Sequence, residues 1–332
     1  MKDLILRDTV NRNAQLWGDC QMDSRSDSSH ANPPTNKSIL LPACGMIATA
    51  ALLFWGTGLN PLWWLTWLAP LPVLLVSPRL ARGRAFWMAA LAWFLGGLNM
   101  WPYLLTTLAV PVPLALFLSG LPSCLFGFSV LLFRRSILRG DLWKAAFSFP
   151  AFWVVFEYLI YVTSPNGTFP NLGYTQMNFL PVLQVASLVG IWGITFCLFL
   201  LPATLAAVLN QPGDMSQKRS LAAAAGLFLA LVVGYGSWRV MFTPASEHSV
   251  KVGLMATGTI TAFPRDDAAA LELLRNYSIK AAGLAAQGAE VIMLPEKIAL
   301  ISDQGTGQAD ALFSAASARM SDPPRIDVPA LE

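Results

Sequence analysis

The sequence predicts a polytopic α-helical membrane bundle of about seven spans, followed by a small, partial α/β domain. Three observations carry that prediction. The 332 residues are 55% hydrophobic and only 12% charged, with a mean hydropathy of +0.52, whereas soluble proteins carry about 25% charged residues. The apolar residues gather into long runs separated by loops that alternate between basic and uncharged. From Val250 onward the pattern changes to short strands alternating with helices. The net charge of +3 is too small to point to nucleic acid as a partner.

Residues 1–37 are polar and rich in Asp, Ser, Asn and Pro, with little apolar periodicity, and read as a disordered cytoplasmic tail rather than a signal peptide. Seven apolar runs follow, at roughly 39–55, 61–76, 86–107, 112–133, 145–163, 180–209 and 221–242. A helix crosses the bilayer with about 20 apolar residues. The first two runs are short and are separated only by residues 56–60, so they read either as a tight helical hairpin or as one broken re-entrant element. Residues 38–242 are thus the expected transmembrane domain.

The loops orient the bundle. Arg79, Arg82 and Arg84 lie between runs two and three. Arg134, Arg135, Arg139 and Lys144 lie between four and five, and Lys218 and Arg219 between six and seven. With Lys2, Arg7, Arg12, Arg25 and Lys37 of the tail, fourteen basic residues fall on one side. The intervening loops, 56–60, 108–111 and 164–179, contain none. Basic loops stay in the cytoplasm. The expectation is a multi-pass protein of a bacterial inner membrane, N-terminus cytoplasmic and residues 243–332 periplasmic. Trp63, Trp64, Trp67, Trp101 and Tyr103 cluster near run ends as interfacial anchors.

In the outer segment, residues 250–255 are strand-like. Residues 266–287 have helical periodicity, with Ala270, Leu273, Leu274, Tyr277, Ala281 and Leu284 on one face. Val291-Ile292-Met293-Leu294 reads as a buried strand that Pro295 ends, and residues 310–318 as a further helix. The β-α-β-α order implies a parallel sheet. Glu296 then stands at the carboxyl end of a strand, where chemistry gathers in open α/β sheets. The plainer reading is a solvated acid closing the strand.

Other polar residues are weighed one by one. Glu157 sits inside the fifth run, where a carboxylate is costly and faces a cavity or a partner. It reads equally as part of a lipid-headgroup or substrate cleft and as a helix-end acid paired with polar neighbours. Asn166, Asn171, Tyr174 and Gln176 lie in the following loop, either lining a headgroup entrance or capping the loop. Gln184 is expected to hydrogen-bond between helices. Of Cys20, Cys44, Cys124 and Cys197, no pair has CxxC spacing, and His30 and His248 have no partner at ligand spacing. Neither a disulfide framework, a metal site nor a cofactor is expected.

The segment Pro150-Ala151-Phe152-Trp153-Val154-Val155-Phe156-Glu157-Tyr158-Leu159 resembles the signature span of apolipoprotein N-acyltransferases. Gly167, Phe169, Pro170 and Leu172-Gly173-Tyr174-Thr175-Gln176 continue the resemblance. So do Pro181-Val182-Leu183-Gln184-Val185-Ala186, Gly190, Gly193 and Phe196. It covers about residues 39–315. The resemblance implies that residues 243–332 are a partial nitrilase-type (carbon-nitrogen hydrolase) domain whose Pro-Glu motif is Pro295-Glu296. It also implies acyl transfer through a Cys nucleophile, a Glu base and a Lys. The glutamate takes the thiol proton, the thiolate attacks a phospholipid ester, and the lysine stabilises the oxyanion. The acyl thioester then passes to the N-terminal cysteine amine of a lipoprotein. Phospholipid and lipoprotein are the substrates so implied. Glu296 is the implied catalytic base, and Glu157, Tyr174 and Gln176 are the candidate substrate-binding residues.

The chain departs from that pattern. No cysteine follows Cys197, and the only lysine after Glu296 is the adjacent Lys297. Tyr158, Ile160, Asn171 and Lys297 differ from the family's usual residues. The expectation is a C-terminally truncated member, inactive alone, whose missing C-terminal segment would be a partner. The alternative is a non-catalytic membrane component related to TraB-like conjugal-transfer proteins.

Overall fold

The computed structural model describes residues 36–164, 167–169, 171–211, 214–243, 250–255, 266–295, 309–311 and 314. The apolar runs fold as helices, the form in which a single segment satisfies its own backbone in a bilayer. Helix α1 spans Asn36–Gly56. The run at 61–76 is not one helix but two, α2 (Trp63–Thr66) and α3 (Leu71–Val76). Proline is the cause. Pro61 precedes α2, Pro70 caps α3 and Pro72 lies in its first turn, and none offers an N–H to a continuous ladder. The chain turns back at residues 57–62, closed by the Leu62 amide donating to the Trp55 carbonyl, and the broken run lies antiparallel to α1, where the Thr49 hydroxyl accepts from the Val73 amide.

A 3₁₀ turn at Ser77–Arg79 leads into α4 (Arg82–Gly96). The run at 86–107 therefore starts earlier than its apolar stretch and ends in irregular turns, Gly97–Met100 and Tyr103–Thr107. Helices α5 (Val112–Leu138) and α6 (Leu142–Thr163) follow, then a 3₁₀ turn at Leu172–Gln176. The run at 180–209 divides into two single turns, α7 (Leu180–Leu183) and α8 (Ala186–Val189), and a long α9 (Ile191–Asn210). The division falls at Gly190, whose φ of 71° lies outside the helical basin and is cheap only for glycine. Helix α10 spans Met215–Phe242. Among the described residues, α5, α6, α9 and α10 are the helices long and apolar enough to cross a membrane.

Helix α4 packs on α5, α5 on α6 and α6 on α9, while α1 covers α4. An aromatic cluster fills the centre: Phe126, Phe149, Trp153 and Phe199 are buried, with Trp93 packed against them at tilted and edge-on angles. The Trp93 and Trp153 rings lie 4.3 Å apart, and Phe149 and Phe199 5.0 Å apart. Such pairs add about 0.5–1.5 kcal/mol beyond burial. Helix α10 is peripheral: 17% of its apolar window is buried within the bundle, against 61% for α9. It is held chiefly by α7 and α9.

Beyond the bundle, β1 (Val252–Leu254) and β2 (Val291–Met293) pair in parallel, with Val252 opposite Val291 and Leu254 opposite Met293. Helix α11 (Asp267–Ala286) connects them. Asp266 caps it by accepting from the Ala269 amide, and Ala270, Leu274, Tyr277 and Ala281 are its buried face. The expected parallel pairing and helix face are both present. The expected burial of residues 291–294 is not: Val291 and Met293 are exposed. Residues 309–311 and 314, within or beside the expected helix at 310–318, are helical as well.

Candidate functional site

The site is built outward from the aromatic core. Trp153 sits in that core, and Glu157 lies one turn further along α6, on the same face. The Trp153 indole N–H donates to Glu157 Oε1 at 3.1 Å. The same oxygen accepts the Leu172 backbone N–H at 3.0 Å, and Oε2 accepts from Asn171 Nδ2 at 2.6 Å. Glu157 is buried, with 8% of its surface exposed. The structure pairs the acid with polar neighbours. Both oxygens face protein donors, and the carboxylate ties the 171–176 turn to the end of α6.

Asn171 is fixed in turn. Its Oδ1 accepts from the Gly173 amide at 2.7 Å and from the Thr195 hydroxyl of α9 at 3.3 Å. Its amide orientation is therefore set by two donors on one end and a carboxylate on the other. Asn171 is the 3₁₀ cap expected of an Asx residue at a turn start.

Gln176 forms a second tie, to α2. It is fully buried. Its Oε1 accepts from the Trp67 indole at 2.9 Å. Its Nε2 contacts the Trp63 carbonyl at 3.0 Å and the Thr66 and Thr175 hydroxyls at 2.8 and 3.0 Å. Trp63 stacks on Phe179 with ring centroids 4.5 Å apart. Of the four tryptophans read as interfacial anchors, Trp63 and Trp67 thus clamp the turn, while Trp64 is exposed.

Tyr174 differs from both. It is 45% exposed, and its hydroxyl shares a hydrogen bond of 2.6 Å with Thr168. Of the three candidate substrate-binding residues, Glu157 and Gln176 turn inward and Tyr174 is presented outward. Gln184 does not bridge helices as expected. Its amide donates to the Leu180 carbonyl one turn back. Glu296 and Lys297 lie outside the described residues. Cys197 is buried in α9, Cys44 exposed and Cys124 half-buried. Among the described residues no group of His, Cys, Asp and Glu could hold a metal ion.

The sequence reading missed Trp67 as a partner of Gln176 and Thr195 as a partner of Asn171. The pairs are 109 and 24 positions apart, too far for local spacing to give a signal. The Trp153–Glu157 pair, at i and i+4 within a helix, was the part that spacing alone could have found.

A bundle of apolar helices with a polar, internally bonded turn at one end, joined to a parallel β-α-β unit, defines a multi-pass membrane protein. Residues 45–204, just under half of the chain, match the family model described as the apolipoprotein N-acyltransferase N-terminal domain. It is similar to apolipoprotein N-acyltransferase 1 of Treponema denticola, 34% identical over 100 residues, which cover 30% of this chain and 18% of the relative. It is also similar to the apolipoprotein N-acyltransferase of Geobacter metallireducens, 27% identical over 220 residues, covering 62% of this chain and 40% of the relative. The chain spans less than half the length of either.

Proposed function

We propose that this chain supplies the membrane platform of apolipoprotein N-acyl transfer, with phospholipid as acyl donor and the N-terminal cysteine amine of a lipoprotein as acceptor. The observation that carries this reading is the family match across residues 45–204, the region that contains the Glu157-tethered turn. In this proposal Tyr174 stands at a headgroup entrance. Glu157 and Gln176 are positioning residues that hold the turn presenting it. Glu296, directly after β2 and Pro295, is the general base of a nitrilase-type domain formed by residues 243–332. A thiolate nucleophile for that base is not among these residues, because no cysteine follows Glu296. Cys197 is enclosed in the core and cannot meet an ester. On this reading the nitrilase-type domain of these 332 residues has no cysteine of its own to form an acyl-enzyme.

One labelled phospholipid checks both halves. The purified chain, carrying a benzophenone amino acid at position 174, is mixed with phospholipid labelled in its acyl chain. Light-dependent labelling is expected, together with no hydroxylamine-sensitive label in the dark. No light-dependent label would remove Tyr174 from the entrance. A hydroxylamine-sensitive adduct would show that a cysteine here accepts the acyl group.

The proposed topology is seven passes of the bacterial inner membrane, N-terminus cytoplasmic and residues 243–332 periplasmic. The fourteen basic residues of the N-terminal tail and alternate loops support it. Alkaline phosphatase fused after residue 255 is expected to be active, and fused within residues 140–144 to be inactive. The reverse pattern would invert the bundle.

A further inference from the structure

Arg239 breaks the charge pattern of the bundle. The other arginines and lysines between residues 79 and 219 cluster in the loops at 79–84, 134–144 and 218–219. Arg239 lies in the last turn of α10, at the end that meets α8. Its Nη1 donates to the Ser187 hydroxyl of α8 and to the Tyr235 hydroxyl, the latter at 3.1 Å. Ser187 donates its own proton to the Gln184 carbonyl at 2.7 Å. Tyr235 and Ser187 oxygens are 3.2 Å apart, so the tyrosine proton is directed to Ser187. Among the described residues every partner of the guanidinium is a neutral hydroxyl. Among the described residues no carboxylate pairs with it, the one ion pair being Lys144–Asp141. One nitrogen is thus anchored, and among the described residues the edge formed by Nε and Nη2 meets no partner. That edge is the planar fork that suits two phosphate oxygens.

The surroundings choose the carrier of the phosphate. Leu188 and Val189 of α8 and Trp238, Met241 and Phe242 of α10 are all exposed. A positive fork with exposed apolar side chains on both neighbouring helices matches a diacyl phospholipid, whose phosphodiester meets the arginine while its chains cover the apolar residues. We propose that the α8–α10 seam is a structural phospholipid-binding site. Arg239 holds the headgroup phosphate, Ser187 and Tyr235 orient the guanidinium, and the bound lipid fastens peripheral α10 to the bundle. This goes beyond acyl transfer, since the lipid is held rather than consumed.

Native mass spectrometry of the full chain in detergent, with a parallel thermal melt, tests it. The probes are phosphatidylglycerol, diacylglycerol with the same chains, and sn-glycerol 3-phosphate. The unaltered chain is expected to bind phosphatidylglycerol and to melt higher with it, as a ligand of the folded state requires. Diacylglycerol and glycerol phosphate should do neither at the same concentration. R239Q should weaken phosphatidylglycerol binding roughly tenfold or more, the worth of charge-assisted hydrogen bonds, and abolish the melting shift. R239K should fall between, a point charge replacing a fork. S187A should weaken binding less than R239Q, and it carries the test if R239Q does not fold. Unchanged binding in R239Q, or in S187A where R239Q is unfolded, would overturn the proposal. So would equal binding of diacylglycerol. Equal binding of glycerol phosphate would make this a site for a free phosphate ester.

Discussion

Glu157→Ala is expected to lower the thermal midpoint of the detergent-solubilised protein by roughly 5–10 °C, the shift that corresponds to about 3 kcal/mol. The effect comes from the groups left behind rather than from the carboxylate itself. Removing a buried acid also removes the cost of burying it. The Trp153 indole, the Leu172 amide and the Asn171 amide would all lose their acceptor in a dry interior. An orphaned buried donor costs about 1–3 kcal/mol. Limited proteolysis should then cut within residues 167–179, because the turn has lost its tie to α6.

Glu157→Gln is the sharper test. A glutamine keeps one acceptor oxygen and turns the other position into a donor. If its amide nitrogen takes the place of Oε2, it meets the Asn171 Nδ2 donor. Asn171 cannot flip to help, because its Oδ1 already accepts from Gly173 and Thr195. If the nitrogen takes the place of Oε1, it meets two donors. A loss of about 1–3 kcal/mol is expected in either orientation. A variant as stable as the parent would show that the site does not need two acceptor oxygens.

Gly236→Ala is expected to be as damaging, by steric overlap rather than lost bonds. A Cβ there would stand 1.7 Å from the Pro181 carbonyl oxygen and 2.5 Å from its carbon. Both are backbone atoms, so no rotamer change relieves the clash and α7 must leave α10. Overpacking usually costs about 1–3 kcal/mol, and a backbone collision belongs at the top of that range or above it. Gly234 is the control. A Cβ there meets nothing within 4 Å. Gly234→Ala should leave the protein unchanged or stabilise it by about 0.5–1 kcal/mol through helix propensity. Thermal melts of the two variants side by side decide the matter: equal midpoints would mean that the α7–α10 contact contributes nothing.

The sequence by itself determined which stretches are helical and apolar, because composition and period are local properties. It determined the parallel pairing of β1 with β2 and the buried face of α11, since Ala270, Leu274, Tyr277 and Ala281 follow a 3.6-residue period. It also marked Glu157 as out of place in an apolar run. Where helices break was only partly legible: Pro70, Pro72 and Gly190 are visible as residues, yet their effect depends on whether the chain can satisfy its backbone after turning. What only the tertiary structure decided is the meaning of the polar residues. Glu157 and Gln176 turn inward while Tyr174 turns outward, and Trp67 is a hydrogen-bond donor to a residue 109 positions away. A hydrogen bond is directional and short, so its partner is fixed by how helices pack rather than by spacing along the chain.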